Sequence, residues 1–226
     1  IQHPTEGVKS MVFYLRELRY HAGPKRIRRL FNLMGRQTIY HRKNLTRLGY
    51  KEYIRPYLLN GLEITQANQV WCTDITYIPM KKGFMYLTAI MDVYSRKILS
   101  WGISNSMTTT WCKNVLEDAI RKYGVPQIIN SDQGSQYTSA MWINYLQNQN
   151  IKISMDGKGR ALDNVWIERF WKSIKYDYIY LNPCDDGFEL YEGVQNHIEY
   201  YNEKIHHTTK EKPRLRYFKS LENRAA

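Results

Sequence analysis

The chain has 226 residues, 43% of them hydrophobic, enough for one substantial packed domain and a smaller one, and 33 Lys and Arg against 21 Asp and Glu give a formal charge of +12. That balance argues against an acidic small-molecule substrate and for a polyanionic partner, nucleic acid first. Three cysteines without C-x-x-C spacing argue against a zinc module or a disulfide scaffold and fit a reducing compartment, and no apolar run reaches the length of a membrane span.

The basicity belongs to one end. Residues 1–60 carry 13 Lys and Arg against Glu6, Glu17 and Glu52, a net +10 that leaves only +2 for the rest. Ile1 in place of an initiating Met implies a processed or partial chain. Val8, Met11, Val12, Leu15 and Leu18 recur at helical spacing until His21-Ala22-Gly23-Pro24 breaks the pattern. Ile27, Leu30, Phe31 and Met34 predict a second helix that leaves Lys25, Arg26, Arg28 and Arg29 outside, and residues 38–48 a third with Arg42, Lys43 and Arg47 exposed. Short helices sharing a basic face suit a helix-turn-helix-like DNA-binding module over residues 1–50, with Arg26 and Arg29 as contact candidates. Residues 51–69, with Arg55-Pro56 and Asn60-Gly61, read as a linker.

Beyond the linker the period changes from helical to alternating. Val70–Met80, Phe84–Asp92 and Lys97–Ser104 predict three consecutive strands joined by tight turns, hence an antiparallel meander. A helix over Thr108–Tyr123, with Thr109 or Thr110 capping its start, precedes a short strand ending at Asn130, a short helix over Ser139–Gln147, a strand over Ile151–Met155 and a helix from 161 to about 178. That order implies an α/β domain with a mixed sheet covered by helices. A helix over 185–203 and a last short turn from Pro213 complete a helical extension over 181–226.

Three acids stand apart from the apolar pattern. Asp74 lies mid-strand among Trp71, Cys72, Ile75 and Tyr77, on the face shared by Cys72 and Thr76, where a carboxylate is costly unless a cation or donor meets it. Asp132 follows a strand directly, at the carboxyl end where sheets of this kind carry functional groups. Glu168 shares a line with Lys175 along the edge of the stripe Ile167, Phe170, Trp171, Ile174 and Tyr178. Each has a bland reading alone: a buried ion-pair partner, a turn residue, a solvated helix edge. Together they can converge, and clustered carboxylates repel unless cations neutralise them. Hard oxygen ligands suit Mg²⁺ or Mn²⁺, and two such ions roughly 3.5–4 Å apart promote in-line displacement at phosphorus.

Asn68-Gln69-Val70-Trp71 through Asp74-Ile75-Thr76-Tyr77, then Met91-Asp92-Val93-Tyr94-Ser95-Arg96, Ser131-Asp132-Gln133-Gly134-Ser135-Gln136-Tyr137, and Asp163-Asn164 with Glu168 form a series of motifs. With 35 residues between Asp132 and Glu168, and Lys175 seven after Glu168, the chain resembles the DDE transposases of bacterial insertion sequences, closest to the second reading-frame product of insertion-sequence family three, relatives of retroviral integrases. The resemblance implies a ribonuclease H-like core over 70–180 with a mixed five-stranded sheet and flanking helices. It implies Asp74, Asp132 and Glu168 as catalytic metal ligands for Mg²⁺ or Mn²⁺, two ions in all, and Lys175 at the reacting DNA end, with Lys158, Arg160 and Lys172 as further DNA contacts. It also implies metal-dependent cleavage of element ends and strand transfer to target DNA, a homo-oligomer on DNA, and a cytoplasmic, nucleoid-associated bacterial protein without membrane attachment. Tyr201-Asn202 and His207 match the family's tail, whereas Lys204-Ile205-His206 replace its usual Arg-Arg-Pro. Asp92, in Asp-Val-Tyr-Ser, reads as a turn-stabilising side chain rather than a fourth ligand. The rival readings are a ribonuclease H-like nuclease and a non-catalytic DNA-binding protein with a decayed core.

Overall fold

A computed structural model of the protein describes residues 7–35, 53–157 and 164–225. The chain divides into two compact units, Ile1–Arg47 and Leu48–Ala226. In the first, α1 (Val8–Glu17) and α2 (Pro24–Leu33) form where the periodicity places them. Val12, Ile27 and Phe31 are buried between them against Met11, Leu15 and Ala22. Pro24 opens α2, where a missing N–H breaks no helical bond. Arg26 and Arg29 are exposed on α2, and Arg29 lines a basic groove with Lys25 and Arg28. The helix expected over 38–48 lies outside the described residues.

The second unit is built on one sheet, in the order β3-β2-β1-β4-β5. Strands β1 (Val70–Pro79), β2 (Phe84–Asp92) and β3 (Ile98–Ser104) form the antiparallel meander that the alternation predicts, while β4 (Ile128–Ser131) and β5 (Lys152–Met155) add in parallel through helical crossovers. Strand alternation splits the core in two. On one face Cys72, Ile78, Leu87, Ala89 and Met91 meet α5 (Val165–Ile174) and α6 (Gly187–Glu203). On the other, Trp71, Ile90 and Ile129 meet α3 (Thr109–Tyr123), α4 (Ala140–Asn148) and Tyr217 of α7 (Pro213–Ala225).

Three local features differ from the expectation. Thr108, not Thr109 or Thr110, caps α3, because its extended backbone lets Oγ1 accept from Trp111 N at 3.3 Å. The helix of Glu168 does not continue as an α-helix to Tyr178: it ends at Ile174 and passes into a π-helical turn, Lys175–Ile179. The short turn expected at Pro213 is a 13-residue helix. Tertiary contacts hold that helix: the Tyr217 hydroxyl donates to Asn68 Oδ1 at 2.8 Å, and Ala67 N donates to Ser220 Oγ at 2.9 Å. The stretch expected as a linker also lies against the sheet, with Leu59 buried and Leu58 N donating to Ser154 Oγ at 3.0 Å. No helix among the described residues is long and apolar enough to cross a membrane. All three cysteines are buried and free.

Candidate active site

Helix α5 docks on the Asp74 face of the sheet because its stripe of Ile167, Phe170, Trp171 and Ile174 is buried there. Three side chains of the helix and its ends then tie it to Thr73, Asp74 and Thr76 of β1. Asn164, at the N-cap of α5, donates through Nδ2 to Thr73 O at 3.3 Å; Trp171 Nε1 donates to Asp74 Oδ2 at 2.9 Å; Lys175 Nζ donates to Thr76 Oγ1 at 2.6 Å. Helix and strand are thereby held in register, and the Asp74 carboxylate is fixed by an indole N–H that would otherwise be an unpaired donor in the core.

Asp132 arrives from the neighbouring strand. The parallel pairing of β1 with β4 aligns Cys72 with Asn130, so two residues further on Asp74 and Asp132 occupy corresponding positions. Its carboxylate folds back on the turn, where Oδ1 accepts from Gly134 N at 2.9 Å. A Cβ on Gly134 would stand 2.9 Å from that oxygen, so any larger residue there would push the Asp132 carboxylate off its present position. Glu168 is exposed in the first turn of α5, where the helix dipole favours a negative charge.

The electrostatics link the three acids. Burial pushes the Asp74 carboxyl up to about 6; the Trp171 hydrogen bond opposes the rise, and the charges of Asp132 and Glu168 add to it. Asp132 is also raised, chiefly by desolvation and against the Gly134 hydrogen bond: its surface is exposed, yet the carboxyl has enough protein around it to lose hydration. Lys175 is lowered by desolvation, which the neighbouring Asp74 charge partly offsets. Among the described residues no three ligating side chains stand close enough together to hold one metal ion. The donor chemistry nevertheless fits a hard divalent cation: the groups are carboxylates, and burial holds the nearby Cys72 and Cys112 thiols protonated, well above their ordinary range.

A family model for the integrase core domain matches residues 64–161, and a second integrase core domain model matches residues 149–211. A transposase for insertion sequence element IS904 of Lactococcus lactis is 36% identical over 192 residues, which cover 81% of this chain and 75% of that protein. The chain belongs to the DDE transposases of insertion sequences. As such it is an enzyme of polynucleotidyl-transferase type. Transposase InsF for insertion sequence IS3A of Escherichia coli is 35% identical over 115 residues, half of this chain and 40% of that protein. Among solved structures, the HTLV-2 integrase catalytic core domain in complex with magnesium superposes with a TM-score of 0.57 at 19% identity, covering 69% of this chain and 99% of the integrase chain. The BIV integrase catalytic core gives 0.56 at 16% identity, over 70% and 99% of the two chains. These likenesses establish the ribonuclease H-like fold of the transposase core.

Elsewhere in the transposase, Asp92 is a turn-former as its context implies. It is buried, accepts from Ser95 N and Ser95 Oγ at 2.8 and 2.6 Å, and takes Asn68 N at 2.9 Å. The tail is anchored by Asn202, which pairs with both Ile98 N (2.9 Å) and Ile98 O (3.1 Å). His206 turns inward onto Tyr201 O at 3.0 Å while His207 is exposed. Of the DNA-contact candidates, Lys172 is exposed in the last turn of α5, Lys175 is turned toward Thr76, Arg26 and Arg29 belong to the other unit, and Lys158 and Arg160 lie outside the described residues. Sequence reasoning missed Trp171 as a support of the acids, whereas Gly134 and Asn164 stand in the motifs that it quotes, without the partners that the structure gives them. Trp171 reads as one member of an apolar stripe, and no local pattern announces where an indole N–H points.

Proposed function

We propose that this transposase cuts DNA at the ends of its element and joins the freed 3′ hydroxyl to a target strand, with Asp74, Asp132 and Glu168 holding the divalent cations. The observation that carries the reading is the parallel register of β1 with β4, which sets Asp74 and Asp132 at corresponding positions on neighbouring strands, beside a helix tied to Asp74 through Trp171. Burial chiefly, and the charges of Asp132 and Glu168 in addition, push the Asp74 carboxyl up, a cost that bound cations would relieve. Mg²⁺ or Mn²⁺, two ions in all, would supply Lewis-acid stabilisation of the attacking and leaving oxygens. The chain's own groups prepare the site. Asp74 must shed its proton to serve, the Trp171 N–H favours that ionised form and fixes its orientation, and Gly134 N holds Asp132 at the strand end. One phosphodiester replaces another, so no external energy source and no covalent protein intermediate are needed.

Lys175, Lys172, Lys158 and Arg160 are the proposed DNA contacts near the acids, and Arg26 and Arg29 those of the basic module at 1–50, joined through 51–69 to the core at 70–180. The extension at 181–226 would brace that core. We further infer a homo-oligomer that holds two DNA ends together in the bacterial cytoplasm, at the nucleoid. Strand transfer with Mg²⁺ and end-sequence DNA tests the assignment. Asp132→Asn should abolish joining by several orders of magnitude and retain DNA binding; joining at the wild-type rate would sink it. Offering an RNA–DNA hybrid in the same assay tests the nuclease alternative, which requires the hybrid to be the better substrate.

A further inference from the structure

Along α5, where Arg169 follows Glu168 in the chain, lies a cavity of about 170 Å³ lined by Arg96, Trp166, Arg169, Tyr201, His206 and Thr208. Arg96 enters it from the turn that Asp92 and Ser95 brace, with a left-handed backbone (φ 69°) that non-glycine residues seldom adopt. Its guanidinium stacks 5.4 Å from the centroid of the Trp166 ring. Its Nη1 is buried and meets no hydrogen-bond acceptor among the described residues. A guanidinium donor buried without an acceptor is costly, so the site calls for a group that brings one.

The rest of the lining gives that group a sign. Arg169, one turn beyond Trp166, is exposed and lines the same cavity, and the Thr208 hydroxyl adds a donor; His206 Nε2 donates to Tyr201 O, so Nδ1 of the neutral ring faces a ligand as an acceptor and the ring serves as a reporter at the cavity wall. None of the lining residues among the described ones is acidic. Val165 and Trp166 belong to the first turn of α5, whose N-cap Asn164 makes no side-chain cap bond, so the positive end of the helix adds to the field. Donors from a turn, a helix and the tail thus converge on one small space. A tetrahedral oxyanion can accept from all three directions at once, whereas a planar carboxylate matches a single guanidinium.

We propose that this cavity is a phosphate-binding pocket, distinct from the three acids and sharing with them only the helix that carries Glu168. A backbone phosphate of a DNA strand is its source if the DNA-joining reading above holds, and a small phosphorylated ligand is the other source of the same chemistry. Arg96 and Arg169 hold the phosphate oxygens, the Trp166 ring keeps the Arg96 guanidinium planar to it, and the Thr208 hydroxyl closes the tail side, with His206 in the wall beside it.

The full chain, labelled at histidine ring carbons, tests this by NMR. The His206 signal is assigned with a His206→Asn variant and followed as inorganic phosphate, then duplex DNA, is added. Arg169→Gln is the companion variant, because Arg169 is exposed and its loss spares the fold. DNA affinity is read by fluorescence anisotropy over a salt series. The expected result is that phosphate and DNA both shift His206. Arg169→Gln should then weaken DNA binding roughly 5–10-fold at low salt, for end-sequence and unrelated duplexes alike, and lower the slope of log affinity against log salt by about one. If phosphate shifts His206 and DNA does not, the pocket stands with the small ligand as its source. If neither shifts His206 and Arg169→Gln leaves the salt slope unchanged, the proposal is overturned. The Asp132→Asn joining assay is independent of each outcome, so failure of one reading does not mimic failure of the other.

Discussion

Replacing Asp74 with Asn should stabilise the metal-free protein, and the size of the gain should track pH. The Asp74 carboxyl titrates at about 6 in the folded chain against an ordinary 3.8, first because of burial and then because of Asp132 and Glu168. A carboxyl raised on folding binds more protons folded than unfolded across that window, so its contribution is fully present below about pH 4 and lost as pH rises through 6. At about 1.4 kcal/mol per pH unit, the loss at pH 8 comes to about 3 kcal/mol as an upper bound. Asn is neutral throughout and still offers Trp171 an oxygen acceptor, so Asp74→Asn escapes the loss. In a chain of this size each kcal/mol moves Tm by roughly 2–4 °C. Melts in a chelating buffer should therefore coincide for wild type and variant near pH 4 and separate by up to roughly 10 °C at pH 8, the variant higher. Millimolar Mg²⁺ at pH 8 should raise the wild-type Tm and leave the variant unmoved. Curves that run parallel from pH 4 to pH 8, or a variant that melts lower at pH 8, would refute the placement of Asp74 in a repulsive, desolvated cluster.

Trp171→Phe keeps the ring against the core but removes the N–H that favours ionised Asp74, so the acid limb of the pH–joining profile should move to higher pH with the fold intact by circular dichroism. Gly134→Ala puts a methyl 2.9 Å from Asp132 Oδ1 and should cut joining at least tenfold while leaving Tm within a few degrees; undiminished joining would mean that the turn does not set that carboxylate. Lys97 is buried with its ammonium 3.7 Å above the Tyr123 ring and no hydrogen-bond acceptor among the described residues, and desolvation lowers its pKa to about 7. A lysine lowered on folding costs stability below its folded pKa and progressively less as pH rises from 7 toward its ordinary 10.5. Lys97→Met should accordingly raise Tm, more at pH 6 than at pH 9, and a gain independent of pH would contradict the desolvation argument.

Much of this protein is written in short-range periodicity. Alternation along Val70–Pro79 puts Asp74 on the face of Cys72 and Thr76, and the 3.6-residue stripe of Ile167, Phe170, Trp171 and Ile174 says which side of the helix docks and that Glu168 lies at its edge. Charge asymmetry separates the basic module from the core, and the spacing from Asp132 to Glu168 names the family. These are properties of neighbouring residues, and the local backbone geometry enforces them wherever the chain folds. Only the tertiary structure decides that the Trp171 N–H reaches Asp74 across 97 residues of sequence, that Asn164 pins the start of α5 to Thr73, and that Pro213 opens a full helix held by Asn68 and Ala67. It alone brings Arg96, Arg169 and His206 around one cavity. A hydrogen bond or a converging set of donors depends on where distant elements pack, and that packing is settled by burial of both sheet faces rather than by any pattern along the chain.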